Sequence, residues 1–370
     1  NDGRGNFSLQ PDAVPTAVKT FGGCVTAGDY DGDGDQDLFI GGRVSKKYPQ
    51  PPRSYILQNT NGVFNDLTSK VCLELQNAGM VTTAAWIDFD NDKQMDLIIA
   101  GEWMPIRFFK NSNGSLKEVT VSTGLEHING MWRKLIVTDI DNDGDSDLVA
   151  GNYGLNNNYK VSGNQPMQLF ASDIDGNGSI DPVIFYFIKD KSGMRRPFPA
   201  ISRNLFSDQV PAIKKRFLLY EDYAHASFDD IFKGKREDKI LELYCDEMRS
   251  CFFENIGNGK FVKHPLPIET QFAPVNAIIC DDVDNDGIKD LLLAGNEYQV
   301  EVVTGRYDAS YGCFLKGTKE KKFRFIRPLE SGFIIKGDVK DMELVHLSTN
   351  EKIILAAVNN DSLRVFRINR

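Results

Sequence analysis

The chain has 370 residues, 41% of them hydrophobic and 26% charged, with a formal net charge of −9. That length suits two domains or one large repetitive domain, and no apolar run reaches the roughly 18 residues of a membrane span. The acidity is local: five Asp-rich loops hold 21 of the 52 acidic residues, and the other 31 face 43 basic ones. There is neither a basic stripe nor a recognisable module of the kind that nucleic acid requires.

In chain order, the first notable stretch is Asp29-Tyr-Asp31-Gly-Asp33-Gly34-Asp35-Gln-Asp37, followed at once by Leu-Phe-Ile-Gly. Residues 54–68, "SYILQNTNGVFNDLT", then read as an apolar strand, an Asn-Gly turn and a returning strand, which is a hairpin signature. The pair recurs. Asp88, Asp90, Asp92 and Asp96 precede Leu-Ile-Ile-Ala-Gly, and the hairpin "IRFFKNSNGSLKEVT" occupies 106–120. Asp139, Asp141, Asp143 and Asp147 precede Leu-Val-Ala-Gly. Asp173, Asp175, Asn177 and Asp181 precede Pro-Val-Ile-Phe. Residues 201–233 lack alternation and carry Ile213, Phe217, Leu218 and Tyr220 at helical spacing, so a helical insertion, more a local cap than a partner site, is expected there. The segment 238–259 reads as a second and third strand whose Asp loop has decayed, with Cys245 and Cys251 flanking a hairpin where they can pair or stay free. Asp282, Asp284, Asp286 and Asp290 precede Leu-Leu-Leu-Ala-Gly, and 351–370 resembles 238–259.

Four short antiparallel strands per 50–60 residues describe a propeller blade. The expected fold is all-β: one β-propeller domain over 1–370 with seven blades, six being the alternative count. Joined end to start, the chain reads "LRVFRINR-NDGRGNFSLQ", which matches 54–68. The N-terminal strand is therefore expected to complete the last blade and close the ring.

Like charges at this density repel, and a hard divalent cation reverses the sign of that energy. In Asp-x-Asp-x-Asp-Gly-x-x-Asp, positions 1, 3, 5 and 9 offer carboxylates or, at Asn177, an amide oxygen, and Gly at position 6 permits the tight turn. Calcium, with six to eight oxygens at flexible geometry, fits better than magnesium. The loops at Asp29, Asp139 and Asp282 are complete. The Asp88 loop has Lys93 in place of Gly and is expected to bind weakly, and the region around Asp338 is expected to hold no ion.

These loops, with their apolar strands and Asn-Gly hairpins, resemble FG-GAP/VCBS repeats, which build the propeller of integrin α-subunit heads and many secreted bacterial proteins. "GNYGLNNNYK", "ASDIDGNGSIDPVIFY" and "GRYDASYG" are similar to segments of Bacteroidota surface proteins with VCBS repeats and ASPIC/UnbV domains. The resemblance implies structural Ca²⁺ at about five sites. It also implies a bacterial extracytoplasmic location, at the outer-membrane surface or secreted, and non-catalytic binding or scaffolding. Any membrane attachment would come from a lipid anchor or a partner outside this segment. The expected partner is a protein or a glycan, met on the face opposite the loops by Trp103, Tyr153, Asn156, Tyr298, Arg306 and Tyr307, aromatic, amide and guanidinium groups on long connections. Two alternatives are a carbohydrate-active lyase or hydrolase and a structural subunit of an outer-membrane assembly. Enzymatic signals are thin: four histidines, none in a zinc-ligand spacing, and no Gly-x-Ser-x-Gly turn.

Overall fold

Period-two patterning becomes strand along most of the chain. A computed structural model describes residues 3–235, 239–301, 304–348 and 351–368. The first sheet is a meander of β1 (Phe21–Gly28), β2 (Asp37–Val44), β3 (Tyr55–Thr60) and β4 (Val63–Asp66). The short helix α1 (Thr68–Val71) follows it. β5 (Met80–Ile87), β6 (Asp96–Met104), β7 (Arg107–Ser112) and β8 (Ser115–Glu118) repeat that order, then α2 (Thr120–Thr123), and the short β9 (Gly130–Met131) pairs with β6. Buried Thr68 and Thr120 do the same work at each return: their hydroxyls accept from the N–H groups of Ile56 and Phe108.

The third sheet is interrupted. It begins with β10 (Lys134–Thr138) and β11 (Asp147–Gly151). The chain then leaves to build a separate sheet from β12 (Met167–Ser172), β13 (Asp181–Lys189), β14 (Arg195–Pro199) and β15 (Leu241–Cys245), in spatial order β14-β13-β12-β15. It returns as β16 (Cys251–Asn255) and β17 (Phe261–Pro265), which complete the third sheet as β10-β11-β16-β17. A fifth sheet of β18 (Val275–Asp281), β19 (Asp290–Gly295), β20 (Cys313–Gly317) and β21 (Phe323–Ile326) is again a meander. β22 (Val339–His346), β23 (Lys352–Val358) and β24 (Arg364–Arg367) form the last, three-stranded sheet.

The second strands are the most buried because neighbouring sheets cover both their faces. β6, β11 and β19 are buried almost throughout, whereas β4 and β24 are largely exposed. Side by side, β1 and β2 pack on β5, β5 on β10, β10 and β11 on β18, and β18 and β19 on β22. Close approach explains the glycine that ends β11: a Cβ on Gly151 would lie 2.4 Å from the Val275 carbonyl of the next sheet. The first strands β1, β5, β10, β18 and β22 all contribute to one cavity of about 800 Å³.

The inserted sheet departs from the expected sequence of blades. Residues 241–245 are not a seventh second strand. β15 is an edge of the sheet that contains β13, so the described residues form six sheets. Cys245 and Cys251 accordingly sit in different sheets, and all six cysteines are free. The N-terminal closing strand is not seen either: residues 3–20 contain no strand, and their contact at Ala13 is a carbonyl accepting from Phe64 of β4. Asn1, Asp2, Asn369 and Arg370, part of that expected junction, lie outside the described residues.

The helical segment appears where periodicity placed it, as α3 (Arg203–Gln209), α4 (Ala212–Arg216), α5 (Tyr220–Ala224) and α6 (Phe228–Ile231). These helices cap the inserted sheet. Phe206, Val210, Ile213, Phe217, Tyr223 and Ile231 bury against Phe170, Val183 and Phe185 of β12 and β13. Leu218 and Tyr220, expected on the apolar stripe, are instead exposed. Among the described residues, no helix is long and apolar enough to cross a membrane.

Candidate metal centres and the opposite face

Each Asp loop joins the first two strands of a meander, or β12 to β13 in the inserted sheet. Its carboxylates first organise its own backbone. The position-1 carboxylate accepts from the N–H groups of positions 5 and 6, as Asp139 does from Asp143 (3.2 Å) and Gly144 (3.1 Å). Position 5 accepts from the N–H of position 7, as Asp33 does from Asp35 and Asn177 from Ser179. Gly34, Gly144, Gly178 and Gly287 have φ between 84° and 94°, as expected for position 6. Lys93 takes the same left-handed form at φ 70°, at a cost of about 1–2 kcal/mol. Position 4 is also left-handed in every loop, through Gly32, Asn91, Asn142, Gly176 and Asn285. The sequence carries that signal, since position 4 is Gly or Asn five times over.

Position 9 has a separate structural role. Asp37, Asp96, Asp147, Asp181 and Asp290 are buried. Asp147 accepts from the N–H of Ile140 in its loop (2.9 Å) and of Asn255 on β16 (2.8 Å). Asp37 joins Tyr30 to Asn59, Asp96 joins Phe89 to Asn111, and Asp290 joins Val283 to Gly317 in the same way. In the inserted sheet, which lacks that third-strand hairpin, Asp181 accepts from Ile174 N–H and from Gln209 of α3. The hairpin asparagines extend the link to the neighbouring sheet: the Asn111 amide donates to the Tyr30 carbonyl (2.6 Å), and the Asn255 amide to the Phe89 carbonyl (3.1 Å). Burial raises the pKa of the ninth carboxyl, to about 6 at Asp37 and Asp147 and about 7 at Asp96, and in the same direction at Asp181 and Asp290.

Five carboxylate trios come within ligating reach. They are Asp29, Asp31 and Asp33; Asp88, Asp90 and Asp96; Asp139, Asp141 and Asp147; Asp173, Asp175 and Asp181; and Asp282, Asp284 and Asp290, with one oxygen from each residue lying within 4.8 Å of the others. Asp37, Asp92, Asp143 and Asp286 are not members of these trios. Each trio can hold a cation, and Asp90 Oδ1 is buried without a hydrogen bond. Asp338, expected to mark a decayed loop, is at the wrong end of its strand for one. It precedes β22, whereas the equivalent turn is 347–351, in which Thr349 and Asn350 lie outside the described residues.

Sequence reasoning missed the residue that faces four of the loops from the third strand. Lys110 of β7 contacts Asp90 and lies 3.0 Å from Asp92. Lys316 of β20 contacts Asp284 and lies 2.9 Å from Asp286. Both ammonium groups are held more strongly protonated by those carboxylates. Gln58 takes this place over Asp31, and Glu254 takes it in the third sheet. Lys321, from the β20–β21 turn of the neighbouring sheet, contacts Asp141 and lies 3.1 Å from Glu254. The signal is the residue just before the hairpin Asn, as in "LQN", "FKN" and "FEN", or before Gly317 in "LKG".

The cavity opens at the strand ends away from the loops. Arg43, Thr82, Arg133, Lys134, Glu297 and Asp341 are among the residues that line it. The six residues expected on this face divide. Trp103 is buried against Met80 and against Met167, Leu169 and Cys245 of the inserted sheet, so it is not a contact surface. Tyr307 is also buried and meets Tyr153 edge-on at 5.0 Å. Tyr153 lines the cavity, with the Arg133 guanidinium over its ring. Arg306 is exposed and stacks on Tyr298, and Asn156 is exposed. Sequence reasoning placed an open surface here because it did not foresee a sheet folding back over β6.

Among solved structures, the chain is similar to the V. cholerae biofilm matrix protein Bap1, at 10% identity and a TM-score of 0.36, covering 94% of this chain and 69% of that one. It is also similar to BBS1N in complex with ARL6DN, at 11% identity and a TM-score of 0.27, covering 95% and 94%. Likenesses this distant carry no argument about function. No curated protein matches the chain. Residues 88–150, which run from the second Asp loop into β11, match the FG-GAP-like repeat family.

Proposed function

We propose that this chain is a calcium-stabilised recognition or scaffold propeller that works outside the cytoplasm. The observation that carries this reading is the fivefold recurrence of an Asp trio at one place in the strand order. Oxygen donors, high negative charge and a flexible loop suit Ca²⁺ better than Mg²⁺, which demands near-octahedral geometry and keeps its waters. Held in place, the ion would offset carboxylate repulsion and tie the first two strands together. The FG-GAP-like repeat supports an extracytoplasmic setting, at the outer-membrane surface or secreted, where calcium is abundant enough for modest-affinity sites.

The partner face is the one away from the loops, at the cavity mouth and the connections carrying Asn156, Tyr298 and Arg306, with a protein or a glycan as partner. Closure of the ring falls under the same proposal. Thermal melting in EDTA and in excess CaCl₂ tests the calcium reading. A cation that binds only the native state raises Tm, by about 2.7 kcal/mol of apparent stability per site at a hundredfold excess over Kd. Equal melting temperatures in the two buffers would refute it.

A further inference from the structure

Four of the loops are faced by a third strand that contributes one side chain at a fixed place, immediately before the residue whose N–H binds the ninth Asp. That side chain is Gln58, Lys110, Glu254 or Lys316. The two lysines do not point to solvent. Each ammonium reaches positions 3 and 5 of its own loop, and position 3 belongs to the trio that would hold a cation.

Charge separates the loops further. The Asp29 loop has five aspartates, and its facing residue is a neutral amide that donates to Asp31. The Asp139 loop also has five, and its facing residue, Glu254, adds an acid. Lys321 reaches Asp141 and lies 3.7 Å from Asp143, but Glu254 shares it at 3.1 Å and adds the one negative charge that Lys321 offsets, so the site keeps a net charge equal to its five aspartates. The Asp88 and Asp282 loops have four aspartates each, contain Lys93 and Lys289 within the loop, and are faced by Lys110 and Lys316.

We propose that Lys110 and Lys316 are internal counter-ions that split the loops into two classes: the Asp29 and Asp139 loops take a divalent cation tightly, and the Asp88 and Asp282 loops take one roughly tenfold more weakly or worse. This rests on the calcium reading above. It places the Asp282 loop, complete in its aspartates, with the Asp88 loop. Asp90 Oδ1, which is without a hydrogen bond, leaves the Asp88 loop weakened toward a cation rather than closed to it.

The test is calorimetric titration of the chelator-stripped full chain with CaCl₂. Wild type is compared with Lys110→Gln and Lys316→Gln, which copy Gln58, and with Lys117→Gln, an exposed control on β8. Wild type should show two affinity classes. Each loop variant should move one site to the tight class, a gain of about tenfold, while the control titrates as wild type. Lys110→Met and Lys316→Met, which remove the charge in a different shape, should give the same shift. Five equal sites in wild type, or loop variants that titrate as wild type, would overturn this inference alone. No calcium bound by any of the proteins would overturn the calcium reading, and this inference with it.

Discussion

Replacing Asp147 with Ala separates the two roles a ninth aspartate can have. Its carboxylate is buried and accepts two backbone N–H bonds, from Ile140 at 2.9 Å and Asn255 at 2.8 Å. Alanine leaves both donors without a partner in a place water does not reach. Each such group costs about 1–3 kcal/mol, so the change should destabilise by about 2–6 kcal/mol. The hydrogen bonds exist without an ion, so this loss should persist in EDTA. Calcium should add a second difference, because one member of the trio has gone. Urea unfolding of wild type and Asp147→Ala in EDTA and in CaCl₂ measures both. If the variant matched wild type in EDTA and differed only in calcium, Asp147 would be a cation ligand alone and the two-strand staple would be wrong. Asp147→Asn is the milder partner: its amide oxygen can keep one bond, and it should cost about half as much.

Glu247 offers a second test. It is buried, and burial alone would raise its pKa, but hydrogen bonds from Arg249 and Lys263 outweigh that and hold it below the ordinary carboxylate value. A depressed folded pKa means its contribution is present above the unfolded value and is lost as pH falls through the folded one. Glu247→Gln should cost about 1–3 kcal/mol at pH 7, and the gap to wild type should shrink in acid, read from urea midpoints across pH. In the helical cap, Phe206→Ala should cost about 3–5 kcal/mol, because the ring is fully buried between α3 and the inserted sheet. A loss below about 1 kcal/mol would mean that the cap does not seal that sheet.

Local features were legible from sequence because their causes are local. An Asp loop fixes its own turn through bonds spanning two to five residues, so Asp29 to Asp37 announces itself wherever it falls. The Asn-Gly hairpins at 59–62 and 111–114 are equally self-contained, with Asn59 and Asn111 accepting from Gly62 and Gly114. Strand partnership is different. "ELYC" and "CFFEN" stand six residues apart and look like a hairpin, yet β15 pairs with β12 and β16 with β11. Either pairing satisfies the same alternation. What decides is which apolar face is left to cover, and Met167, Leu169 and Cys245 find theirs on Met80 and Trp103. The same event removed Trp103 from the expected contact surface.

The insertion also explains why the third sheet needs its polar seam. Asp147 and Asn255 are neighbours in space but 108 residues apart, whereas the matching pair in the second sheet, Asp96 and Asn111, is 15 apart. Closing the longer segment costs more chain entropy, about 1.8 kcal/mol by the logarithmic scaling, before the inserted sheet repays any of it by burial. Polar contacts concentrate where the chain leaves and returns. The Asn152 amide donates to the Glu247 carbonyl at 2.9 Å, and Asn152 N–H donates to the Ser250 hydroxyl at 3.0 Å. Ser250 N–H donates to the Gln271 side chain, whose amide returns a bond to the Ser250 carbonyl. All of these side chains are buried, and the bonds fix the exit after β11 beside the entry to β16. With exit and entry pinned together, the inserted sheet becomes a closed excursion. The third sheet keeps the strand order of its neighbours, and the loop at Asp139 keeps the bonds from positions 5 and 6 to its first carboxylate that the loop at Asp29 makes.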